Sequence, residues 1–250
     1  MTWFRIGRLY NKKSIFLLCK NMSYDIYCLS FKNPERKAQM EARFKQLEID
    51  CIFSDGVDNN DPRIVNNEGV GWSMMLGALD IIQQFYNSDK EFGIFCEDDI
   101  YIHKEFKTRL PAVIEDFRMM DLDILLLGYL TPFEIKSYYQ GFDLKSHSTH
   151  LNYTYHNYPS DLWGGQMILF SKKYAKAVLD KYTVEYAIKA RTDTTLPPFS
   201  GDHTITKNGN RAIIYPMLAV ETHDKTYKDW GQETFHKNCK KCNYNPDLYI

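Results

Sequence analysis

Apolar and polar residues follow two different periods along the chain, and each change of period marks a change of secondary structure. Residues 24–31 (YDIYCLSF) alternate apolar and β-prone side chains, which predicts a strand. Met40, Phe44 and Leu47 then recur at spacings of four and three, which predicts a helix with one apolar face. Residues 49–54 predict a second strand. A strand, a helix and a strand in this order form a right-handed βαβ unit with parallel strands.

The same two periods continue as far as residue 220. Asn33 and Pro34 suit the start of the first helix, and Ser73 and Ser171 suit the N-caps of later ones. Further helices are predicted up to residue 85, at 104–118 and at 172–182, and further strands at 92–96, 123–127, 166–170, 211–215 and 217–220. The pattern predicts an α/β fold in which helices flank a mostly parallel sheet in a single domain over residues 24–225. Residues 1–23 are predicted to be an extension outside the core, and residues 226–250 a polar tail.

Residues 92–102 (FGIFCEDDIYI) carry the strongest chemical signal. An apolar run ends in three consecutive acids, Glu97, Asp98 and Asp99. At ~4 Å a pair of like charges costs about 1 kcal/mol in water and several times more in a partly dry cleft, so a cation is expected among them. Carboxylate oxygens suit Mg²⁺ or Mn²⁺, and ligands of open α/β sheets bind beyond the carboxyl ends of the strands. The residues alone also allow a solvated loop or a helix N-terminus, where acids offset the helix dipole.

Charge and apolar content exclude several partners. The 250 residues contain 31 Lys and Arg against 32 Asp and Glu, so a formal net charge of -1 gives no electrostatic case for nucleic acid or an anionic membrane. No run approaches the ~20 apolar residues of a spanning helix. The basic residues before residue 14 precede an apolar run too short for a signal peptide, which leaves a peripheral membrane anchor open.

The cysteines indicate a reducing environment. Cys28, Cys51 and Cys96 lie in apolar strand-like runs, which is typical of reduced thiols in an intracellular, cytoplasmic protein. Cys239 and Cys242 form a single CxxC pair with no second ligand pair, so two free thiols or a disulfide are favoured over zinc.

Residues 129–160 are rich in Tyr and His and lack a clear period. A segment of this length inside a compact domain is typical of a binding loop. We interpret it as the wall of an acceptor site, and plain packing or a dimer contact remain alternatives.

Four segments, taken in their order, resemble glycosyltransferase family 25, the lipopolysaccharide-type galactosyl- and glucosyltransferases related to the procollagen galactosyltransferases. They are a strand and helix with Ile26, Leu29 and Arg36 closing at Asp55-Gly56, a G-x-x-x-S segment from Gly69 to Ser73, an EDD motif with Phe106, and a Gly-rich strand and helix from Gly164 with Asp202 following. Met74 departs from the family pattern, which usually has His at that position.

The resemblance implies a GT-A fold and a metal-dependent, inverting enzyme. Such an enzyme moves a hexose, galactose or glucose, from a nucleoside diphosphate sugar, most simply a UDP-sugar, to a hydroxyl of a glycan or protein. In an extended chain alternate residues face the same side, so Glu97 and Asp99 are predicted to share one side and Asp98 the other.

The resemblance also implies roles for particular residues. Asp99 is the predicted metal ligand, with Glu97 and His223 beside it and His203 as the rival histidine. The predicted nucleotide contacts are Leu29, Ser30, Arg36, Asp55, Ser73, Glu97 and Asp98. Asp202 is the predicted general base, with Asp161, near Trp163, as the alternative. Some of these residues have simpler interpretations: Arg36 as a solvated helix residue, His223 as a solvated loop residue, and Asp202 as a helix N-cap.

Two other functions fit the same residues. A GT-A-like domain without turnover would bind sugars or a partner protein. A metal-dependent phosphoryl-transfer enzyme would use the same acids, but the chain lacks a G-x-x-x-x-G-K phosphate loop.

Overall fold

The computed structural model describes residues 23–65, 69–133, 135, 149–150, 153–157, 162–223, 227 and 229–250. Its strands are β1 Tyr24–Ser30, β2 Ile52–Asp55, β3 Phe92–Glu97, β4 Ile100–Ile102, β5 Ile124–Leu130, β6 Thr149–His150, β7 Tyr153–Asn157, β8 Trp163–Ser171, β9 Arg211–Tyr215 and β10 Ala219–Glu221. Its helices are α1 Pro34–Gln46, α2 Gly69–Asn87, α3 Phe106–Met119, α4 Lys172–Lys181, α5 Val184–Ala190, α6 Gly201–Thr204 and α7 Trp230–Asn243, with a 3₁₀ turn at Ile205–Lys207.

Eight described strands form one sheet in the order β2-β1-β3-β8-β5-β9-β7-β6. β1 pairs in parallel with both β2 and β3, whereas β7 and β8 run against their neighbours. A second, two-stranded sheet joins β4 to β10. The prediction of a mostly parallel sheet flanked by helices in one domain is confirmed.

Alternation along β3 separates two apolar cores. Phe95 faces the core that contains α2 and α4, while Ile94 and Cys96 face the core that contains α1 and α3. All three side chains are less than 10% exposed. Burying an apolar side chain of Ile or Phe size stabilises the fold by ~1.5–3 kcal/mol, so both faces hold β3 in place. The residues that follow β3 therefore emerge from the rigid centre of the sheet.

Short polar side chains begin two helices as the sequence predicts. Asn33 accepts a hydrogen bond from the Arg36 backbone N–H at 3.1 Å, and Ser171 accepts one from the Tyr174 N–H at 3.1 Å. The prediction that Ser73 caps a helix is wrong, because α2 already begins at Gly69 and Ser73 is buried within it. Small and apolar residues continue the helix toward its N-terminus, and the sequence period did not show this.

The end of the chain is folded, and the prediction of a polar tail over 226–250 is wrong. α7 buries His236 and Cys239, and Tyr249 is only 4% exposed. Ile250 and Ile102 exchange two backbone hydrogen bonds of 2.9 and 3.0 Å, which attach the end of the chain to β4. The helix lacks a clear apolar period because His and Cys, rather than aliphatic residues, occupy its buried face.

Part of the Tyr-rich segment packs inside the protein and does not form a wall over a site. Tyr153 and Tyr155 are buried on β7, near one end of the sheet. The Tyr155 hydroxyl donates to the buried Asp116 carboxylate at 2.7 Å, and Arg109 donates to the Tyr153 hydroxyl at 3.0 Å. For these two tyrosines the packing alternative is the correct one. Residues 136–148 and 158–161 lie outside the described residues.

The five described cysteines are free thiols. The Cys242 thiol donates to the Pro132 carbonyl at 3.0 Å, and Cys239 is buried on α7. None of the described helices has the length and apolar character needed to cross a bilayer.

Stability is expected to fall on mild acidification because of His103. Its Nδ1 accepts a hydrogen bond from the Glu105 N–H at 3.1 Å, and burial, followed by the charge of Arg109, lowers its pKa. Below its usual pKa of ~6.5, the unfolded chain binds a proton that the folded chain excludes, so acidification favours unfolding. His103→Asn retains an acceptor without a titratable group. The difference in Tm between wild type and this variant should shrink from about pH 7.5 to about pH 5.5, and a constant difference would contradict the assignment.

Candidate functional site

The site lies where parallel strands of the sheet end together. β1 ends at Ser30, β2 at Asp55 and β3 at Glu97, and the register pairs Ser30 with Asp55 and Leu29 with Glu97. This edge of the sheet is where open α/β folds bind ligands. The structure therefore brings Leu29, Ser30, Asp55 and Glu97 to one edge, with Asp55 on its exposed rim.

Arg36 joins the two aspartates that follow β3. Its Nη1 lies 3.4 Å from Asp98 Oδ1 and 3.2 Å from Asp99 Oδ2, and the Ser30 hydroxyl donates to Asp98 Oδ2 at 2.8 Å. The Arg36 side chain is 15% exposed and that of Asp99 only 2%, so Arg36 is not a solvated helix residue. One guanidinium therefore lies between two carboxylates.

The prediction that the three acids face alternate sides of the chain is wrong for Asp99. Asp98 and Asp99 converge on the same guanidinium, whereas Glu97 lines a pocket on the α2 side of the sheet. β3 ends at Glu97, and residues 98–99 form a bend before β4 begins at Ile100. Strict alternation requires an extended chain, and it fails in this bend.

The pocket brings Glu97 and Asp202 to the same cavity. Asp202 lies in the first turn of α6, whose N-cap is Ser200, so Asp202 is not the N-cap. Its carbonyl oxygen accepts a hydrogen bond from the Thr206 hydroxyl at 2.9 Å, which ties α6 to the 3₁₀ turn. The exposed Met74 lies at the mouth, and the remaining lining residues are Leu29, Ala78, Ile82, Phe95, Gly165, Ile168, Gly201, Ile205 and Thr206.

His223 belongs to a segment that meets the acids through the backbone. Glu221 pairs with Ile100 in the small sheet, and the Thr222 N–H donates to the Asp99 carbonyl at 2.8 Å. The His223 imidazole itself lies 3.4 Å from the Glu233 carboxylate of α7 and is only 14% exposed, so it is not a solvated loop histidine. The structure thus places His223 one residue beyond the contact with Asp99, with its ring directed at α7.

The acids fit a metal site in which a substrate would supply some of the ligands. Within the described residues, no three His, Cys, Asp or Glu side chains are grouped closely enough to form a protein-only metal site. Mg²⁺ usually binds one or two carboxylates together with water and substrate phosphates. Glu97, which lines the pocket, and Asp99, which contacts Arg36, are each a donor of that type at this edge of the sheet.

A buried polar network holds α7 against this edge, and the sequence did not single it out. Glu221 is 6% exposed; its carboxylate lies 2.6 Å from His236 Nδ1 and accepts from the Tyr227 hydroxyl at 3.1 Å. The Tyr227 and His236 rings stack at 4.2 Å. Burial, then Glu221 and to a lesser extent Asp99 and Glu97, raise the pKa of Tyr227. The signal available was the acid that ends β10, with His223 two residues further on.

Removing His236 should destabilise the protein strongly. His236→Ala would leave the buried Glu221 carboxylate with the Tyr227 hydroxyl as its remaining partner of the two. Removing one partner of a buried carboxylate–histidine pair lowers the free energy of unfolding by about 3 kcal/mol. Chemical denaturation measures the loss, and Lys237→Ala on the exposed side of the same helix should change stability by less than ~0.5 kcal/mol. Equal effects for the two variants would show that the pair contributes little.

Gln166 is a further polar residue beside the acids. It follows the Cys96–Met167 pair in the antiparallel register of β3 and β8, which places it beside Glu97. It is 3% exposed, and its Oε1 makes no hydrogen bond to any described residue. A buried acceptor at this position is suited to a hydroxyl donor on a ligand.

Two predicted site residues remain, His203 and Asp161. His203 follows Asp202 on α6, and burial together with Lys207 lowers its pKa, which favours the neutral ring. Asp161 lies outside the described residues.

Comparison with known proteins gives structural likenesses at low identity. No protein-family model matches the chain, and no curated protein matches it. A glycosyltransferase involved in the glycosylation of the major capsid of PBCV-1 matches 81% of this chain and 94% of its own at a TM-score of 0.44 and 13% identity. A mannose-1-phosphate geranyltransferase from Thermus thermophilus matches 77% and 74% at 0.41 and 11%. The inositol-1-phosphate CTP transferase from T. maritima matches 93% and 83% at 0.35 and 9%.

Proposed function

We propose that the protein is a metal-dependent glycosyltransferase of the GT-A type, which moves a hexose from a nucleoside diphosphate sugar to a hydroxyl group. The observation that carries the proposal is the placement of Glu97 and Asp202 in one pocket at the carboxyl edge of the sheet, beside Asp98 and Asp99. Acids for a diphosphate-bound cation and a base for an acceptor are the two groups that inverting transfer requires.

Asp99 and Glu97 would hold Mn²⁺ or Mg²⁺, with His223 as the third candidate from the adjoining segment. When bound, the cation would stabilise the charge that develops on the departing diphosphate. Arg36 would hold the Asp99 carboxylate in position, since its Nη1 lies 3.2 Å from Asp99 Oδ2. Arg36 would also meet an arriving phosphate at this edge, and Arg binds phosphate oxygens well.

The neighbouring strand ends would bind the nucleotide. Leu29 offers an apolar surface, Asp55 offers a carboxylate for ribose hydroxyls, and Ser73 precedes the pocket residue Met74 on α2. The hydroxyl of Ser30 and one oxygen of Asp98 already bond each other at 2.8 Å, which fixes the Asp98 carboxylate before a ligand arrives. We propose Ser30 and Asp98 as the rigid support of this nucleotide site.

Asp202 would act as general base toward the acceptor hydroxyl. It lies on a short helix whose carbonyl contact with Thr206 restricts its movement, and it shares the pocket with Glu97. A base on the side opposite the leaving group is what inversion requires. The resemblance to family 25 favours galactose or glucose from a UDP-sugar and an acceptor on a glycan or protein. The free thiols favour action in a reducing, cytoplasmic compartment.

Ligand binding and turnover can be tested in one series. Nucleoside diphosphate sugars with Mn²⁺ should raise Tm, since a ligand at about 100 times its Kd stabilises the folded state by ~2.7 kcal/mol. The same samples should release free sugar slowly from the donor, and EDTA should stop the release. Binding without metal-dependent release would favour a sugar-binding module, and the absence of any nucleotide-sugar binding would overturn the proposal.

A further inference from the structure

Phe31 is an exposed aromatic residue at the edge of the sheet where the acids lie. It follows directly on β1, its side chain is 41% exposed, and it packs into neither apolar core. Exposed apolar side chains are common on proteins, but this one adjoins the proposed nucleotide site. Ser30, the residue before it, donates to Asp98, and Asp55 pairs with Ser30 in the register of β1 and β2. Phe31 therefore lies beside residues that would contact a nucleotide.

The close approach of Gly56 fixes where the Phe31 side chain lies. The Gly56 N–H donates to the Ser30 carbonyl at 3.2 Å, which brings the loop after β2 alongside the end of β1. A Cβ added at Gly56 would lie 2.6 Å from the Phe31 Cβ and 2.9 Å from its Cγ, so a larger residue would collide there. Glycine permits such an approach. The Gly56 backbone therefore supports the Phe31 side chain near its Cβ, while the residue as a whole stays exposed.

The Lys32 ammonium lies over the Phe31 ring. Its Nζ is 5.0 Å from the ring centroid and pairs with the carboxylate of Asp58, which belongs to the same loop as Gly56. The side chain of Lys32 is 68% exposed and that of Asp58 36%, and exposed cation–π contacts and ion pairs are weak. Stacking of a nucleobase on an aromatic ring is stronger and tolerates every base, since each base has a π face. A base can therefore take the place of the ammonium over this ring.

The order of the strand ends matches the order of the parts of a nucleotide. β1 lies between β3 and β2 in the sheet, and neighbouring strands are about 4.8 Å apart. The acids proposed for the cation end or follow β3, whereas Ser30 ends β1 and Asp55 ends β2. A nucleotide whose diphosphate lies beside Asp99 therefore reaches the ends of β1 and β2 with its ribose and base. Phe31 and Gly56 directly follow those two strands.

We propose that the nucleobase of the sugar donor stacks on the ring of Phe31. The proposal rests on the proposed function and adds to it the residue that binds the base, which the resemblance to family 25 does not assign. The ring contacts the face of the base and not its edge. It therefore supplies affinity for nucleotides in general and leaves the choice among the bases to other contacts.

The test compares a ligand that has a base with one that has none. Calorimetric Kd values are measured with Mn²⁺ for UDP, GDP, ADP and CDP, and the nucleotide that binds most tightly is then compared with inorganic pyrophosphate. Phe31→Ala should weaken binding of that nucleotide about tenfold or more, as expected for a lost stack, and should leave the Kd of pyrophosphate within about twofold. Phe31→Tyr keeps an aromatic ring and should retain the wild-type affinity within about threefold.

Tyr86→Ala is the matched control. Tyr86 is 36% exposed, and Lys172 Nζ lies 5.9 Å from its ring centroid, as Lys32 lies over Phe31. Tyr86 is near the end of α2, which precedes β3, so it lies at the opposite edge of the sheet from the acids. Its exchange should change neither Kd by more than about twofold. The Tm of each variant checks its folding.

Each outcome decides the proposal. A loss of nucleotide affinity in Phe31→Ala that pyrophosphate, Phe31→Tyr and Tyr86→Ala do not show supports it. Unchanged nucleotide affinity in Phe31→Ala, an equal loss for pyrophosphate, or an equal loss in Phe31→Tyr overturns it and leaves the transferase proposal standing. If no nucleoside diphosphate binds the wild type, the proposed function itself fails.

Discussion

Asp99→Asn should lower metal-dependent sugar transfer by ~10²-fold or more while the protein stays folded. Asn has almost the shape of Asp but lacks the charge that a divalent cation requires. Arg36 retains its contact with Asp98 at 3.4 Å, so the guanidinium is not left without a carboxylate. The measurement is kcat with saturating Mn²⁺, together with Tm as a check of folding.

Asp50→Asn is the matched control for this variant. Asp50 is exposed just before β2, at the end of the strands opposite to the acids. Its exchange for Asn removes the same charge from the protein. Its kcat should stay within about twofold of wild type. If Asp99→Asn kept full activity, and kept it with the divalent metal chelated, the metal role of Asp99 would be wrong.

Asp202→Asn should lower kcat by about 10²–10⁴-fold, which is the usual contribution of a general base. The affinity for the donor should change little, because the predicted contacts to the nucleotide lie at the ends of β1, β2 and β3, on α1 and on α2, and Asp202 is not among them. The rate of the wild type should also rise with pH through the pKa of the base. The variant should lack this rise of rate with pH. A purely structural role of Asp202 would not remove it.

Asp180→Asn, on the exposed side of α4, is the control, since Asp180 pairs with Lys176 of its own helix. A kcat within about threefold of wild type for Asp202→Asn would exclude Asp202 as the base. Asp161 would then be the next residue to exchange.

Local signals predicted most elements of the sheet and the two N-caps at Asn33 and Ser171. Both kinds of signal act over a few residues: a strand face repeats every two residues, and a cap side chain reaches the N–H three residues on. The same short range explains the errors. The direction in which the Asp98 and Asp99 side chains point depended on a bend in the chain. The buried face of α7 depended on Glu221, fifteen residues before His236.

The sequence by itself determined that a buried strand ends in three acids at the carboxyl edge of an α/β sheet, because apolar periodicity and the order of elements are encoded locally. The tertiary structure alone decided that Arg36 binds Asp98 and Asp99 and that Asp202 shares a pocket with Glu97. It also decided that α7 packs at this edge of the sheet through Glu221 and His236. These contacts join residues that are distant along the chain. Their formation depends on how the helices pack on the sheet, which no local period specifies.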